Sequence, residues 1–320
     1  MKAIRVQAFG GPETLVVREM PTPSPQAGQV LIAVEAAGVG LADVLMRRGA
    51  HREYTAYSPD FTPGIEVAGT VVDVGEGVDR SWLQRRVFSH VEGGGGYAER
   101  AVVDARALMP LPASLPAPEA VALGLNALVA KFSLQRAGLK AGERVLIRGA
   151  GGGIGVLATQ LAALAGATVA VTTSSAERGQ RLRELGASLI LDRAAHSSGE
   201  SPEGFDVIID TVAGPDMASF FGKLKENGRM LVCGAAGGFP APGFGQELLL
   251  RFKKSVTLSL FSLDTIDAQT RAEAMRELWD WNIQGRLKPV IHETLPLDEA
   301  AASHVRLEAG EVFGKIVLVP

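Results

Sequence analysis

A glycine-rich segment at residues 149–155 has the residue types and spacing that bind a phosphate group. It reads Gly-Ala-Gly-Gly-Gly-Ile-Gly, follows the strand-like run Val145–Arg148 and leads directly into the apolar run Ile154–Ala165. Between a strand and a helix, such residues allow a tight turn, a close approach of the backbone to a pyrophosphate and close packing of helix on strand. The helix N-terminus adds free N–H groups and the positive end of its dipole. We therefore predict a dinucleotide-binding turn, with a βα turn that binds no ligand as the alternative. The residues assigned to the cofactor in this turn are Ala150, Gly152, Gly153, Ile154 and Gly155.

The residues that follow the next strand indicate which dinucleotide binds. A unit specific for NAD places Asp or Glu about 20 residues beyond the glycines, where it bonds the ribose 2′-hydroxyl. This chain has the hydroxyl-bearing segment Thr172–Ser175 there, followed by Arg178 and later by Arg193. Hydroxyl and guanidinium groups suit a 2′-phosphate, so we predict NADPH rather than NADH. The alternative is that both arginines are solvated surface charges. The residues assigned to the adenosine end are Thr173, Ser174, Ser175, Arg178 and Arg193.

Composition excludes several other classes of protein. The 320 residues carry 32 basic and 35 acidic side chains, a net charge of −3, so no basic field favours nucleic acid as a partner. The single cysteine, Cys233, and five scattered histidines give no metal-ligand spacing, so we predict no metal site. The N-terminus has no apolar run typical of a secretory signal, and we expect a cytoplasmic protein without a membrane partner. At about 150 residues per domain, the length favours two domains.

Hydrophobic patterning divides the chain into three parts. The first third holds short Val- and Ile-rich runs separated by glycine and proline, which favours a compact β domain. From about Pro118, apolar strands alternate with helices, which is typical of a parallel sheet covered on both faces. The tail after Leu260 breaks this alternation, and we expect it to return to the first domain. The predicted domains are residues 1–122 plus 264–320, and residues 123–263.

These motifs together resemble the medium-chain dehydrogenase/reductases, and within them the zinc-free quinone oxidoreductase (zeta-crystallin-like) branch. The resemblance implies an α/β chain with an N-terminal GroES-like β-barrel domain, an inserted Rossmann domain (a doubly wound parallel sheet) and a C-terminal return to the first domain. It also implies NADPH as cofactor and a role for Lys315 in binding it. Beside the glycine turn, the resemblance rests on Met1–Ile4, Phe9–Glu13, Ala36–Asp43, Pro63–Gly69, Gly95–Glu99, Thr172–Arg178, Phe205–Asp210 and Gly314–Leu318.

The resemblance also identifies where zinc-dependent relatives hold their catalytic ion. The matching positions here are Gly40, Ile65 and Ala122, none of which can ligate zinc. The zinc-free branch usually has Asn where this chain has Gly40, and commonly has Thr where Asn126 stands and Tyr where Leu128 stands. These departures weaken the transfer of a specific substrate from the family but leave the cofactor assignment intact.

The chemistry implied is hydride transfer from nicotinamide C4 to a quinone or another α,β-unsaturated carbonyl. We assign Asn126 to a hydrogen bond with the nicotinamide amide or the substrate oxygen. Tyr54 and Tyr57 are assigned to proton donation or stacking on a flat acceptor, with ordinary loop aromatics as the alternative. Gly234 follows a strand of the parallel sheet, at the end where ligands bind. Asp43 and Glu66 are interpreted as structural hydrogen-bonding groups.

Two other functions remain open at this stage. One is an enoyl-thioester reductase, whose acyl-carrier substrate requires basic residues near the pocket mouth, for which Arg47, Arg48 and Arg52 are candidates. The other is a nucleotide-binding protein without turnover, with a structural or redox-sensing role. A β-prone segment at Val256–Ser262 is expected to form the edge of the parallel sheet, which predicts a homodimer.

Overall fold

The computed structural model describes residues 1–50, 58–196 and 204–320. They form two compact units. The first contains residues 1–125, 268–285 and 289–320, and the second contains residues 126–267 and 286–288. The second unit is therefore inserted in the chain of the first, as the sequence predicts. The predicted boundaries at 122/123 and 263/264 stay predictions.

The first unit is built on antiparallel β structure that begins at the N-terminus. Its two longest strands are buried along most of their length, and Val30, Ile32, Val67, Val71 and Val87 belong to one hydrophobic core. Its first elements are β1 (Lys2–Val6), β2 (Leu15–Glu19), β3 (Gln29–Val39), α1 (Leu41–Arg48), β4 (Glu66–Val74), β5 (Arg86–His90), β6 (Arg100–Asp104), β7 (Leu108–Pro110) and α2 (Ala117–Arg136).

The helix α2 crosses from the first unit into the second and is broken at Gly124. This glycine has φ 33° and ψ −141°, a conformation outside the helical region. Residues 117–136 have the length and apolar composition of a membrane span, although 67% of the most apolar window is buried within the protein itself. Such burial is the environment of a core helix.

The second unit alternates strands and helices. Its elements are β8 (Arg144–Arg148), α3 (Gly153–Leu164), β9 (Thr168–Thr172), α4 (Ala176–Glu184), β10 (Leu189–Leu191), β11 (Phe205–Asp210), β12 (Leu224–Val232), α5 (Phe244–Leu249) and β13 (Thr257–Leu260). The strands pair in parallel in the order β10-β9-β8-β11-β12-β13. Numbered from β8, this order is 3-2-1-4-5-6, that of the doubly wound dinucleotide-binding fold. The expected Rossmann domain is confirmed.

The C-terminal segment completes the first unit with α6 (Ala268–Ile283), β14 (Ile291–Pro296), α7 (Ala300–Glu308) and β15 (Lys315–Val319). Strand β15 pairs with β3 and β14, and the resulting sheet has the order β14-β15-β3-β4-β5-β7, with β6 also paired to β3. The chain end therefore supplies two strands of the N-terminal domain's sheet. This confirms the predicted return.

Candidate active site

The glycine turn between β8 and α3 has the geometry that its sequence predicts. Gly149 has φ 77°, which favours glycine, and α3 begins at Gly153 immediately after an extended Gly152. A Cβ on Gly155 would lie 2.3 Å from the Gly149 carbonyl oxygen, so only glycine allows this packing of helix on turn. Gly152 is exposed, and its own added Cβ would meet nothing closer than 3.5 Å. The turn therefore presents open backbone beside the α3 N-terminus, where a pyrophosphate fits.

Within the turn, the five assigned residues differ in what they expose. Ala150 and Gly155 are buried, so they shape the turn. Gly152 is exposed, but its N–H already donates to the Gly149 carbonyl at 3.1 Å, so it offers open backbone surface rather than a donor. Gly153 and Ile154 are half-buried at the start of α3, so their N–H groups are the ones a ligand reaches.

A pocket of about 400 Å³ lies at the ends of β9 and β10 in the same unit. The predicted residues Thr173, Ser174 and Ser175 line it, and Ser175 also caps α4 by accepting a hydrogen bond from the Arg178 N–H at 3.2 Å. The sequence reasoning missed the other lining residues, Ala176, Ile190, Leu191, Asp192 and His196. Arg178 is half-buried and Arg193 exposed, and neither is among the described lining residues. The pocket is thus rich in hydroxyl groups and also carries one carboxylate and one imidazole.

A buried ion pair between Arg148 and Asp210 lies next to the glycine turn and stabilises it. Arg148, at the end of β8, donates to Asp210 Oδ2 at 3.0 Å and to the Ala213 carbonyl at 2.6 Å. The other oxygen of Asp210 accepts from the N–H groups of Val212 at 2.7 Å and Ala213 at 3.0 Å. Burial raises the pKa of Asp210, and Arg148 opposes that rise. Because β8 and β11 flank the point where the strand order reverses, the pair fixes both loops at the edge where ligands bind. The sequence analysis did not identify Arg148.

Gly234 lies just beyond β12, close to the end of β11. A Cβ there would approach the Thr211 carbonyl oxygen to 2.6 Å. Glycine is therefore needed for these two strand ends to lie side by side, which is consistent with its predicted place next to a ligand.

The first unit contains a buried charged cluster formed by Asp43, Glu66 and Lys315. The Lys315 ammonium donates to Glu66 Oε1, and both side chains are almost completely buried. Asp43 accepts from the N–H groups of Gly40 at 2.8 Å and Gly64 at 3.0 Å. Burial raises the pKa of Asp43 to about 6, against the opposing effect of the Lys315 charge. The interpretation of Asp43 and Glu66 as structural acceptors agrees with these contacts.

The second oxygen of Glu66 connects this cluster to the break in α2. Glu66 Oε2 accepts from the Leu125 N–H at 2.9 Å, directly after the non-helical Gly124. A Cβ on Gly124 would lie 2.3 Å from the same oxygen. Asn126 follows at once and is half-buried. The carboxylate therefore determines where the second half of α2, which carries Asn126, begins.

A second buried group lies at α7. His304 is fully buried and its Nε2 lies 3.3 Å from the Tyr97 hydroxyl. Arg47 is also fully buried and forms an ion pair with Glu308. Among the described residues, His304 Nδ1 and Arg47 Nε and Nη1 have no hydrogen-bond partner. Burial, followed by the charge of Arg47, lowers the pKa of His304 to about 3, so the imidazole is neutral.

The structure describes two of the three arginines that were considered for a pocket mouth. The expectation that Arg47 lies at a pocket mouth is wrong, because this side chain is fully buried. Arg48 is exposed but bonded to Glu308. Tyr54, Tyr57 and Arg52 lie outside the described residues.

An inserted doubly wound domain with an open glycine turn, within an antiparallel β domain, defines a two-domain dinucleotide-dependent oxidoreductase. Residues 26–113 match the alcohol dehydrogenase GroES-like domain model, and residues 185–318 match the zinc-binding dehydrogenase model. The quinone oxidoreductase of Mus musculus is 33% identical, over 100% of this chain and 98% of its own length. The chain therefore belongs to the medium-chain dehydrogenase/reductase family, in its quinone oxidoreductase branch, and is an enzyme.

Solved structures agree with this assignment. A mycobacterial protein solved in complex with NADPH has a TM-score of 0.90 and 29% identity, with both chains covered fully. A quinone oxidoreductase of Pseudomonas syringae has a TM-score of 0.88 and 28% identity, covering 100% of this chain and 99% of its own.

The zinc named by one family model does not fit the residues present. Gly40 and Ile65 offer no ligand atom, and a Cβ on Gly40 would lie 3.7 Å from the Lys315 ammonium nitrogen. The Lys315 cation therefore already lies beside the position that a zinc ligand at residue 40 would occupy. Within the described parts of the chain, no three His, Cys, Asp or Glu side chains form a group that could hold a metal.

Proposed function

We propose that the protein transfers hydride from NADPH to a quinone or another α,β-unsaturated carbonyl compound, without zinc. The observation that carries the proposal is the open glycine turn at the α3 N-terminus, in the same unit as a pocket lined by Thr173, Ser174 and Ser175. Hydroxyl groups in that place suit a 2′-phosphate, whereas an NAD site has a carboxylate there. The NADPH-bound mycobacterial structure and the quinone oxidoreductase relatives support the same reading.

In this proposal the residues of the second unit bind and orient the cofactor. Backbone N–H groups of residues 153 and 154 hold the pyrophosphate, which Gly152 allows to approach closely, and residues 173–175 with Arg178 and Arg193 hold the adenosine 2′-phosphate. The loop that begins at Gly234 borders the nicotinamide end. The bound cofactor supplies the hydride, and the protein provides positioning and stabilises charge on the acceptor oxygen.

Four further residues complete the proposal, with the roles predicted from the sequence. Asn126 hydrogen-bonds the nicotinamide amide or the acceptor oxygen, while Tyr54 and Tyr57 provide a proton or a stacking surface. Lys315 has the predicted cofactor role, and its buried side chain is held in place by the ion pair with Glu66. Quinones and enones are already electrophilic, so their reduction needs no Lewis acid. This agrees with a site in which the cation beside Gly40 is Lys315 rather than a metal ion.

Turnover with a panel of acceptors tests the proposal. The purified protein is incubated with NADPH or NADH and with 1,4-benzoquinone, 9,10-phenanthrenequinone, 2-hexenal or crotonyl-thioester, while the loss of cofactor absorbance is followed. We expect oxidation of NADPH by quinones or the enal, unchanged after treatment with a chelator. Turnover of the thioester alone would identify an enoyl-thioester reductase instead. Binding of NADPH without turnover of any acceptor would identify a nucleotide-binding protein with a structural or sensing role.

A substitution at Arg178 tests the choice between NADPH and NADH. Arg178→Glu is expected to weaken NADPH binding far more than NADH binding, because only NADPH carries the 2′-phosphate. Arg183→Glu makes the same charge change on the same helix at an exposed position and serves as the control. Equal losses for both cofactors in Arg178→Glu would mean general damage to the unit.

The predicted homodimer involves the free edge of the parallel sheet. Strand β13 is the last strand of that sheet, and Leu260 in it is 72% exposed. Leu249, Leu250 and Phe252 nearby in the chain are at least as exposed. A second copy that pairs edge to edge would cover both the unpaired backbone and these side chains.

A further inference from the structure

The adenosine pocket contains two side chains, Asp192 and His196, that the proposed function does not use. Both belong to a tight turn after β10. Asp192 Oδ1 accepts from the Ala194 N–H at 2.9 Å and from the His196 N–H at 2.8 Å. A backbone bond from Asp192 N–H to the His196 carbonyl at 3.0 Å closes the turn. The turn therefore holds both side chains at the pocket wall.

The two side chains are close enough to form a pair when the imidazole is charged. His196 Nδ1 lies 3.6 Å from Asp192 Oδ2, and the side chains are 65% and 59% exposed. Hydrogen bonding from the His196 N–H lowers the pKa of Asp192, so this residue stays a carboxylate at neutral pH.

A carboxylate in this pocket opposes a cofactor with a 2′-phosphate. The phosphate carries nearly two negative charges at neutral pH, and like charges in close proximity destabilise the complex. A protonated imidazole beside both groups cancels this repulsion and adds a charge-assisted hydrogen bond to the phosphate. An ordinary imidazole changes its charge between pH 5 and 8.

We propose that Asp192 and His196 act together as a specificity determinant that makes the preference for NADPH over NADH depend on pH. With His196 protonated, the pocket favours the 2′-phosphate; with His196 neutral, Asp192 disfavours it. This inference rests on the proposed function, since it requires the adenosine end of NADPH to lie in this pocket.

The surrounding charges do not replace the histidine. Lys223 Nζ bonds the Ala195 carbonyl at 3.4 Å on one side of the turn, and Arg193 is exposed within it. Arg178 lies on α4, whose N-cap residue Ser175 also lines the pocket. Lysine and arginine keep their charge across the range in which an imidazole titrates, so they contribute equally at each pH.

The test measures dissociation constants of NADPH and NADH by fluorescence titration between pH 6.0 and 8.5, for the wild type and His196→Gln. The selectivity is the dissociation constant of NADH divided by that of NADPH. Dividing the selectivity of the wild type by that of His196→Gln cancels the effect of the titration of the phosphate, because this effect is the same in both proteins. We expect this quotient to be about fivefold at pH 6.0 and to approach one at pH 8.5. A quotient that stays constant over the range would overturn the inference while leaving NADPH as the cofactor. Failure of NADPH to bind at any pH would instead overturn the proposed function.

Two further variants test the pair independently. Asp192→Asn keeps an oxygen acceptor for the turn and removes the charge, so NADPH should bind about threefold more tightly at pH 8.5, with NADH unchanged. Unchanged NADPH affinity in this variant would mean that the carboxylate does not face the phosphate, which contradicts the inference. Arg193→Gln removes one of the groups proposed to hold the 2′-phosphate, so it should weaken NADPH binding at every pH tested while the pH dependence survives. Loss of the pH dependence in Arg193→Gln would contradict its assignment to Asp192 and His196.

Discussion

Replacing His304 with glutamine should make the first unit less sensitive to acid. In the folded protein this imidazole is buried against Tyr97 and has a pKa of about 3, whereas in the unfolded chain it titrates near 6.5. Between these values only the unfolded chain binds the proton, so the stability contributed by the neutral histidine is lost as the pH falls below 6.5. At pH 4.5, two pH units below the unfolded value, the loss is about 3 kcal/mol relative to pH 7.5. Glutamine keeps a hydrogen-bonding group for Tyr97 but does not titrate.

Urea unfolding at pH 7.5 and pH 4.5, followed by tryptophan fluorescence, measures this difference. All three tryptophans, Trp82, Trp279 and Trp281, lie in the first unit, so the signal reports on the unit that contains His304. The free energy of unfolding of the wild type should fall by about 3 kcal/mol more than that of His304→Gln over this interval. Asp43, with a raised pKa of about 6, gains stability as the pH falls, but it does so in both proteins and cancels in the comparison. An equal loss in both proteins would refute the reasoning, because it would mean that the imidazole takes up its proton in the folded state.

Three further results are expected. Glu66→Gln should lower the free energy of unfolding by about 3–5 kcal/mol in the same fluorescence assay, because it leaves the buried Lys315 ammonium unpaired. Adding Lys315→Met should restore part of that loss, and a double variant worse than the single one would contradict the pairing. Gly155→Ala should weaken NADPH binding about tenfold, because the added Cβ would lie 2.3 Å from a backbone oxygen, whereas Gly245→Ala, with open space around it, should bind normally. Phe252→Lys should shift the protein from dimer to monomer in light scattering, and a monomeric wild type would contradict the dimer.

Local sequence was sufficient to predict most of the second unit. Strands β8 and β9 are almost entirely buried, so they form continuous apolar runs, and the helices that follow them, α3 and α4, end just before Gly166 and Gly186. Such signals lie within a few residues of one another. The glycine turn was therefore predicted between the correct strand and helix, and the strand order 3-2-1-4-5-6 confirms the fold around it.

The first unit was predicted less completely, because its contacts are distant in sequence. Strand β14 (Ile291–Pro296) was missed, and it is stabilised by parallel pairing with β15 rather than by a clear pattern of its own. The ion pairs of Lys315 with Glu66 and of Arg47 with Glu308 join residues about 250 apart, which no spacing rule connects. Asp192 and His196 were missed for a different reason: their relation to the pocket depends on a turn of unusual geometry, in which Ala195 has φ 57°.

The cluster around Lys315 also explains why this chain can lack metal ligands without losing its architecture. Glu66 is held by two donors, the Lys315 ammonium and the Leu125 N–H, and Asp43 by the N–H groups of Gly40 and Gly64. Glu66 therefore binds backbone next to the break in α2, and Asp43 binds backbone at the start of α1. A divalent ion placed next to Gly40 would lie close to an ammonium group with no ligand atom from residues 40 or 65 to compensate for the repulsion. Inserting ligands at those two positions is consequently not enough to create a metal site, because the lysine cation has to be removed as well.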